Sequence, residues 1–351
     1  MSRILDNYKQ GHFHNSWLIT GERGIGKASI AYQIARLLLS NNNSSAPIFS
    51  TMLDNIEGSM ADKANDLYLD PNSPIFKKIA VGSHPDLLVL EKSRDPKTNK
   101  LQKEITIDQA RKIKKFLHLT PADSNYRIII IDSINDMNIN ATNAILKLLE
   151  EPPQKAIFLL IHHQPTKILP TIASRCIKLK LLPLHLQTME EILNHINVNI
   201  DTAQQKQQLI NLSGGSVGRL LQFHEDDVIT HYSKLLDILL QTENNIDHDM
   251  LNDFYGNIAS KSNPYLWEAM TYLISRLLNI CCVYLSNPKS SNSNFFNDPE
   301  QEFTQQMASK FNQLQLIDMW NNINRLFIDV NALNLDKKQV LGNVVRQCLT
   351  A

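Results

Sequence analysis

Thiols are scarce in this chain. Cys176, Cys281, Cys282 and Cys348 are the four cysteines among 351 residues, and their positions have no metal-ligand spacing. Adjacent Cys281 and Cys282 are poorly placed to pair with each other, because the disulfide would be strained. No disulfide framework is expected, and a reducing cytoplasm is the predicted setting. Net charge is lacking as well: 35 Lys and Arg face 35 Asp and Glu. That removes a global electrostatic pull toward nucleic acid or membrane and leaves only local patches. The opening MSRILDNYKQGHFHNSW has no continuous apolar stretch of signal-peptide length, and no later run is expected to span a bilayer. No internal repeat is visible. What remains, 43% hydrophobic and 20% charged residues, is the composition of a globular protein long enough for two or three domains.

The most informative stretch that is present runs from Trp17 to Leu39. Trp17, Leu18 and Ile19 form a short apolar run, followed by Gly21-Glu22-Arg23-Gly24-Ile25-Gly26-Lys27-Ala28. A helical pattern with Ile30, Ile34, Leu37 and Leu38 on one face comes next. Strand, glycine-rich turn, lysine and helix make a phosphate loop, in which backbone N–H groups and the helix N-terminus hold an anion. Gly21, Gly24, Gly26 and Lys27 are its candidate nucleotide-binding residues. Position 28 should carry a hydroxyl for Mg²⁺ and carries Ala28 instead. Ser29 is one residue late, about 100° around the helix. The loop is suited to phosphate and lacks its metal ligand.

Further along, Asp108–Leu119 reads as an amphipathic helix with Asp108 as N-cap and Ile113, Phe116 and Leu117 inward. Ala46–Ile79 reads as loops and short helices, His84–Leu90 as a turn entering a strand, and residues 91–104 as an exposed loop. Arg127–Asp132 contains the β-branched run of a central parallel strand. Ala141–Leu149 is a helix stopped by Pro152-Pro153, and Ile157–Ile161 and Ile177–Leu182 are further strands. Strands thus alternate with helices up to residue 182, the pattern of an α/β parallel sheet. Beyond Pro183 the pattern is helical, with Ser213–Leu220 as a helix end, a turn and a new start. The clearest helices are His231–Leu240, Tyr265–Val283 and Leu314–Leu333, and Asn287–Asn297 is a loop.

Asp132, at the end of its strand, stands where an NTPase holds Mg²⁺ through water. The next position, where related ATPases carry a Glu, holds Ser133, which is no base at neutral pH. Two groups that hydrolysis needs are therefore missing from one site. His162 and His163 read as strand-end residues, since no carboxylate or cysteine cluster accompanies them. No metal site is expected.

Several stretches together carry a resemblance: His14–Lys27, His84-Pro85-Asp86-Leu87, Ile105–Leu119 with Thr120-Pro121, and Ile128–Asp132 with Asp136-Met137-Asn138. Asn143–Pro153 (NAILKLLEEPP), Thr171–Cys176 (TIASRC) and Ser213–Leu220 (SGGSVGRL) complete it. Residues 14 to about 221 resemble, in the same order, the delta-prime branch of the bacterial DNA polymerase III clamp loaders in the AAA+ superfamily.

The resemblance implies an α/β fold, with an AAA+ parallel-sheet core over residues 1–182. A small helical lid over 183–225 and an all-helical collar domain over 226–351 would follow. It implies that Arg175 is an arginine finger reaching the ATP site of a neighbouring subunit, and that Arg219 stands at the sensor 2 position. With Gly21, Gly24, Gly26, Lys27 and Asp132, Arg219 would belong to a vestigial nucleotide site. Expected partners are gamma or tau and delta subunits, the sliding clamp, and primer–template DNA through the complex. No membrane partner is expected. Polymerase activity, a nucleotidyl transfer, would belong to the whole assembly. No cofactor is expected beyond weak nucleotide binding without turnover. Many relatives carry a cysteine-ligated zinc module after the phosphate loop; residues 40–83 contain no cysteine, so no zinc is expected. The alternative reading is an active AAA+ ATPase subunit of a replication or repair complex that tolerates Ala28.

Overall fold

The computed structural model describes residues 14–40, 71–94, 102–163, 168–196, 198, 200, 202–241, 248–260, 263–286 and 296–349. The expectations for Ala46–Ile79 up to residue 70, for the loop beyond residue 94 and for Asn287–Asn297 up to residue 295 lie outside these residues. The chain divides into two compact units, Met1–Pro183 and Leu184–Ala351.

Among the described residues, the first unit is built on five parallel strands. They are β1 (Ser16–Thr20), β2 (Leu87–Glu91), β3 (Arg127–Asp132), β4 (Ala156–His162) and β5 (Ile177–Lys180), in the order β2-β3-β4-β1-β5. The β-branched run Ile128–Ile131 is fully buried because it lies second in the sheet, between β2 and β4. Alternate residues of a strand face opposite sides, and the core follows that rule. Leu18, Ile129, Ile131, Phe158 and Leu160 pack on one face, beneath α3 (Ile107–His118) and α4 (Ile139–Glu150). Trp17, Ile19, Ile128, Ile130, Leu159 and Ile161 pack on the other, beneath α1 (Lys27–Ser40) and α2 (Pro74–Ala80). A short helix, α5 (Pro170–Ala173), leads into β5.

Two local expectations are corrected. The inward face of α1 is Ala31, Ala35, Leu38 and Leu39, while Ile30, Ile34 and Leu37 are only half-buried. Two alanines let the helix axis lie close over the strands, so small residues occupy the contact and the larger ones flank it. The N-cap of α3 is Thr106, not Asp108. The Thr106 backbone N–H donates to Gln109 Oε1 at 2.8 Å, the reciprocal arm of a capping box. Asp108 instead sits in the first turn, paired with Arg111 at 3.0 Å.

The second unit is helical among the described residues: α6 (Leu186–His195), α7 (Ala203–Ser213), α8 (Val217–Glu225), α9 (Val228–Leu240), α10 (His248–Ile258), α11 (Pro264–Ser286), α12 (Asp298–Lys310), α13 (Gln313–Leu333) and α14 (Lys337–Leu349). One hydrophobic core runs through it, from Met189, Leu209, Leu220 and Phe223 to Leu235, Leu273, Ile323 and Val344. Gly214 ends α7 at φ +59°, where an added Cβ would lie 2.5 Å from the Tyr272 hydroxyl. Ser216 then caps α8 by accepting from the Arg219 backbone N–H at 3.2 Å. By length and composition α11 is a helix that could cross a bilayer, contrary to the reading of the sequence. Its apolar residues Leu266, Trp267, Met270, Leu273, Ile274, Leu277 and Leu278 are nevertheless buried in the core of this unit.

Candidate functional site

In a parallel sheet with helical crossovers, ligands collect at the carboxyl ends of the strands. Thr20 of β1 pairs with His162 of β4, and Glu91 of β2 pairs with Asp132 of β3. The phosphate loop that follows β1 therefore lies on the same edge as Asp132, His162 and His163. Gly21 is required by close approach, since a Cβ there would stand 2.5 Å from Ile25 Cδ1 and 2.8 Å from the Leu181 carbonyl oxygen. Gly24 and Gly26, at φ +80° and +92°, provide the left-handed turns.

Within that loop Lys27 is only 2% exposed. Its Nζ donates to the carbonyl of Gly21 at 2.9 Å and to that of Glu22. Burial pushes its pKa down to about 8, with the Asp132 and Glu22 carboxylates opposing the shift. A lysine that would take its proton at 10.5 when exposed thus carries a cost in the folded state at neutral pH. That cost disappears as pH rises from about 8 to 10.5. Lys27→Met is expected to raise the melting temperature at pH 7 and to lose that advantage by pH 10. A melting-temperature gap of equal size at both values would mean that the buried charge is not the source of the effect.

Around the loop, the groups that would hold a metal or activate water are absent or committed. Ala28 is half-buried against the core and Ser29 is exposed. Ser133 is fully buried, and its hydroxyl donates to Asp136 Oδ2 at 2.8 Å, whose other oxygen holds Lys92 at 2.8 Å. Burial and the neighbouring Glu91 raise the Asp132 pKa, and Lys27 opposes the rise. His163 is pushed down to about 4, first by burial and then by the Lys27 and Arg23 cations, so its ring is neutral at physiological pH. Its Nε2 lies 3.7 Å from Asp132 Oδ1. The backbone N–H of His163 donates to Asn135 Oδ1 at 2.8 Å, which pins the end of β4. Position 28, an alanine, offers no side-chain oxygen to a Mg²⁺ ion.

Arg175 stands elsewhere. It stands two residues before β5, whose first residue, Ile177, pairs with Trp17 near the start of β1. That is the amino-terminal edge of the sheet, opposite the phosphate loop. The structure therefore brings Gly21, Gly24, Gly26, Lys27 and Asp132 to one edge and leaves Arg175 on the other. Arg175 lines a 590 Å³ pocket with His14, Asn15, Ser16, Leu149, Glu150, Pro152 and Ser174. Its Nη2 pairs with Glu150 Oε1, and its Nη1 donates to the Thr171 carbonyl at 2.7 Å and to Ser174 Oγ at 3.2 Å. Glu150 had no role in the sequence reading; an acid at the last position of a helix, where the macrodipole disfavours it, was the available signal.

Arg219 belongs to the second unit. Its guanidinium carbon lies 3.7 Å from the centroid of the Tyr272 ring, and its Nη1 donates to the Ser213 carbonyl at 2.9 Å. Within its own unit Arg219 therefore stabilises the turn between α7 and α8.

Comparison with known proteins fits this geometry. A family model described as DNA polymerase III, delta subunit, matches residues 53–185. DNA polymerase III subunit delta' of Pseudomonas aeruginosa is 32% identical over 207 residues, covering 58% of this chain and 54% of that protein. DNA polymerase III subunit gamma of Buchnera aphidicola subsp. Schizaphis graminum is 28% identical, covering 55% of this chain and 45% of that protein. The chain thus spans about half the length of these two relatives. Subunit delta' of the same Buchnera is 23% identical over 339 residues, covering 95% of this chain and 90% of that protein. With a glycine-rich loop following β1 of a five-stranded parallel sheet, the chain is similar to DNA polymerase III subunits, delta' and gamma among them.

Proposed function

We propose that this chain is a non-hydrolysing, delta'-type subunit of a DNA polymerase III clamp loader, and that it supplies Arg175 in trans to the ATP site of a neighbouring subunit. The observation that carries this reading is the separation of Arg175 from the chain's own phosphate loop across one parallel sheet. An arginine on the opposite edge has no use at its own loop and is free to serve another. The loop itself supports the non-hydrolysing half. Ala28 offers no ligand, Ser133 is buried and hydrogen-bonded to Asp136, and the Lys27 ammonium rests on carbonyls of its own loop. Gly21, Gly24, Gly26, Lys27, Asp132 and Arg219 are then the remains of a nucleotide site.

On this reading the partners are gamma or tau and delta subunits in a cytoplasmic hetero-oligomer. The sliding clamp and primer–template DNA are engaged through the complex. Residues 1–182 would act as the AAA+ core, 183–225 as the lid and 226–351 as the collar that joins subunits.

An active ATPase subunit is the competing reading, and turnover by the isolated protein separates the two. Removing a direct Mg²⁺ ligand and the residue that orients water should leave no phosphate release above background. Turnover by a purified sample, abolished by Lys27→Ala, would favour the active ATPase. Nucleotide binding without turnover would leave the proposal standing.

A further inference from the structure

We infer that Glu150 is the positioning residue for Arg175, holding its guanidinium at the mouth of the pocket for the phosphates of a neighbour's nucleotide. This rests on the trans-acting role proposed for Arg175. An arginine on a surface turn normally samples many rotamers, and docking it against a phosphate costs that freedom. Here three groups hold it. Both Nη1 protons are directed at the chain segment just before it, to the Thr171 carbonyl and Ser174 Oγ, and Nη2 is held by Glu150. The Nε atom is buried without a hydrogen-bond partner. Nη2 keeps a second N–H, and the Glu150 contact determines where that edge of the guanidinium points.

Glu150 is itself well placed for this task. It is the last residue of α4, and Pro152-Pro153 follow, which fixes the chain immediately beyond it. A carboxylate at a helix C-terminus is electrostatically disfavoured, and the Arg175 cation compensates it. Both residues line the same 590 Å³ pocket, so whatever enters meets the pair together. The side chains are 31% and 47% exposed. The pair therefore contributes little to folding and can be altered without unfolding the unit.

The test uses the reconstituted complex with the gamma- and delta-type partners of the same cell. DNA-stimulated ATP turnover is measured for wild type, Glu150→Ala, Glu150→Gln, Arg175→Ala and the Glu150→Ala/Arg175→Ala double variant, with assembly checked by mass. Glu150→Ala should lower kcat at the facing site by about two- to tenfold with KM little changed. Glu150→Gln, which keeps the acceptor oxygen, should recover part of the loss. Adding Glu150→Ala to Arg175→Ala should lower the rate no further, since a residue that acts through another has no effect once the other is gone.

A wild-type or faster rate for Glu150→Ala, beside a slow Arg175→Ala, would overturn the inference and make Glu150 a bystander or a competing anion. A further fall in the double variant would also overturn it, by showing an effect on the fold rather than on the finger. If Arg175→Ala is itself silent, the trans-acting reading fails first and this inference falls with it.

Discussion

Arg175→Ala should assemble with its partners and leave them slow. In phosphoryl transfer, negative charge gathers on the transferred group and the leaving oxygen, and a cation placed there stabilises the transition state. Arginine suits this because its charge persists at any working pH and its planar fork meets two oxygens at once. A finger supplied in trans is worth about 10³–10⁵ in rate, or roughly 4–7 kcal/mol. Its structural worth is far smaller: the side chain is 31% exposed and pairs with a Glu150 that is 47% exposed, a contact worth about 0–1 kcal/mol. The contrast between the two magnitudes makes the experiment decisive. Only the ATP site facing this subunit should feel the loss, so bulk turnover should fall by a fraction while clamp loading falls further if the sites act in concert. Arg175→Lys should recover little, because a point charge lacks the fork. The measurement is assembly, ATP turnover and clamp loading with wild-type partners. An Arg175→Ala complex that loads clamps at the wild-type rate would show that Arg175 is an ordinary surface arginine.

How much of this could be read from the sequence differs between element types. The run Ile128–Ile131 announced a strand covered on both faces, because no half-exposed strand can carry four consecutive β-branched apolar residues. The glycine spacing at 21, 24 and 26 announced the loop, because its backbone needs positive φ and close approach. Periodicity misplaced the buried face of α1, since it weights Ile30 and Ile34 over Ala31 and Ala35. Against a sheet, the distance of closest approach matters more than hydrophobicity. Thr106 and Asp108 are both good capping residues, and only the path of the chain decided between them. The Glu150–Arg175 pair spans 25 positions and a strand, and no local pattern signals a partner at that distance. The shared core of the second unit was similarly invisible: each amphipathic helix shows that it has a partner without showing which one.

Glu300→Ala should be the most destabilising of the single changes considered for the second unit. Glu300 is fully buried in the first turn of α12. Its Oε1 accepts from the Tyr232 hydroxyl of α9 and from Arg276 Nη1 of α11, both at 2.6 Å, and its Oε2 accepts from the Phe296 backbone N–H at 2.6 Å. One carboxylate thus ties together three helices and the entry to one of them. The helix N-terminus also favours a negative charge at that place. Burial, and then the adjacent Glu300 charge, raises the Tyr232 pKa well above its ordinary value, so the phenol stays a donor at any working pH. Removing the carboxylate takes from Arg276, a mostly buried cation, its 2.6 Å contact with Glu300, and leaves a buried hydroxyl and N–H without the acceptor they use. Breaking a buried pair in this way costs about 3–5 kcal/mol. Tyr232→Phe should cost about 1 kcal/mol, since Glu300 keeps its other two partners. Replacing both charges, as in Arg276→Met/Glu300→Met, should recover part of the Glu300→Ala loss, because the cation that lost its closest carboxylate is then gone as well. Trp17 lies in the first unit, and Trp267 and Trp320 lie in the second. In a Trp17→Phe background, tryptophan fluorescence during urea unfolding therefore reports on the helical unit alone. If the Glu300→Ala transition falls within about 0.5 kcal/mol of the parent, the carboxylate is not what joins these helices. Their packing would then rest on the apolar core around Leu235, Leu273 and Ile323.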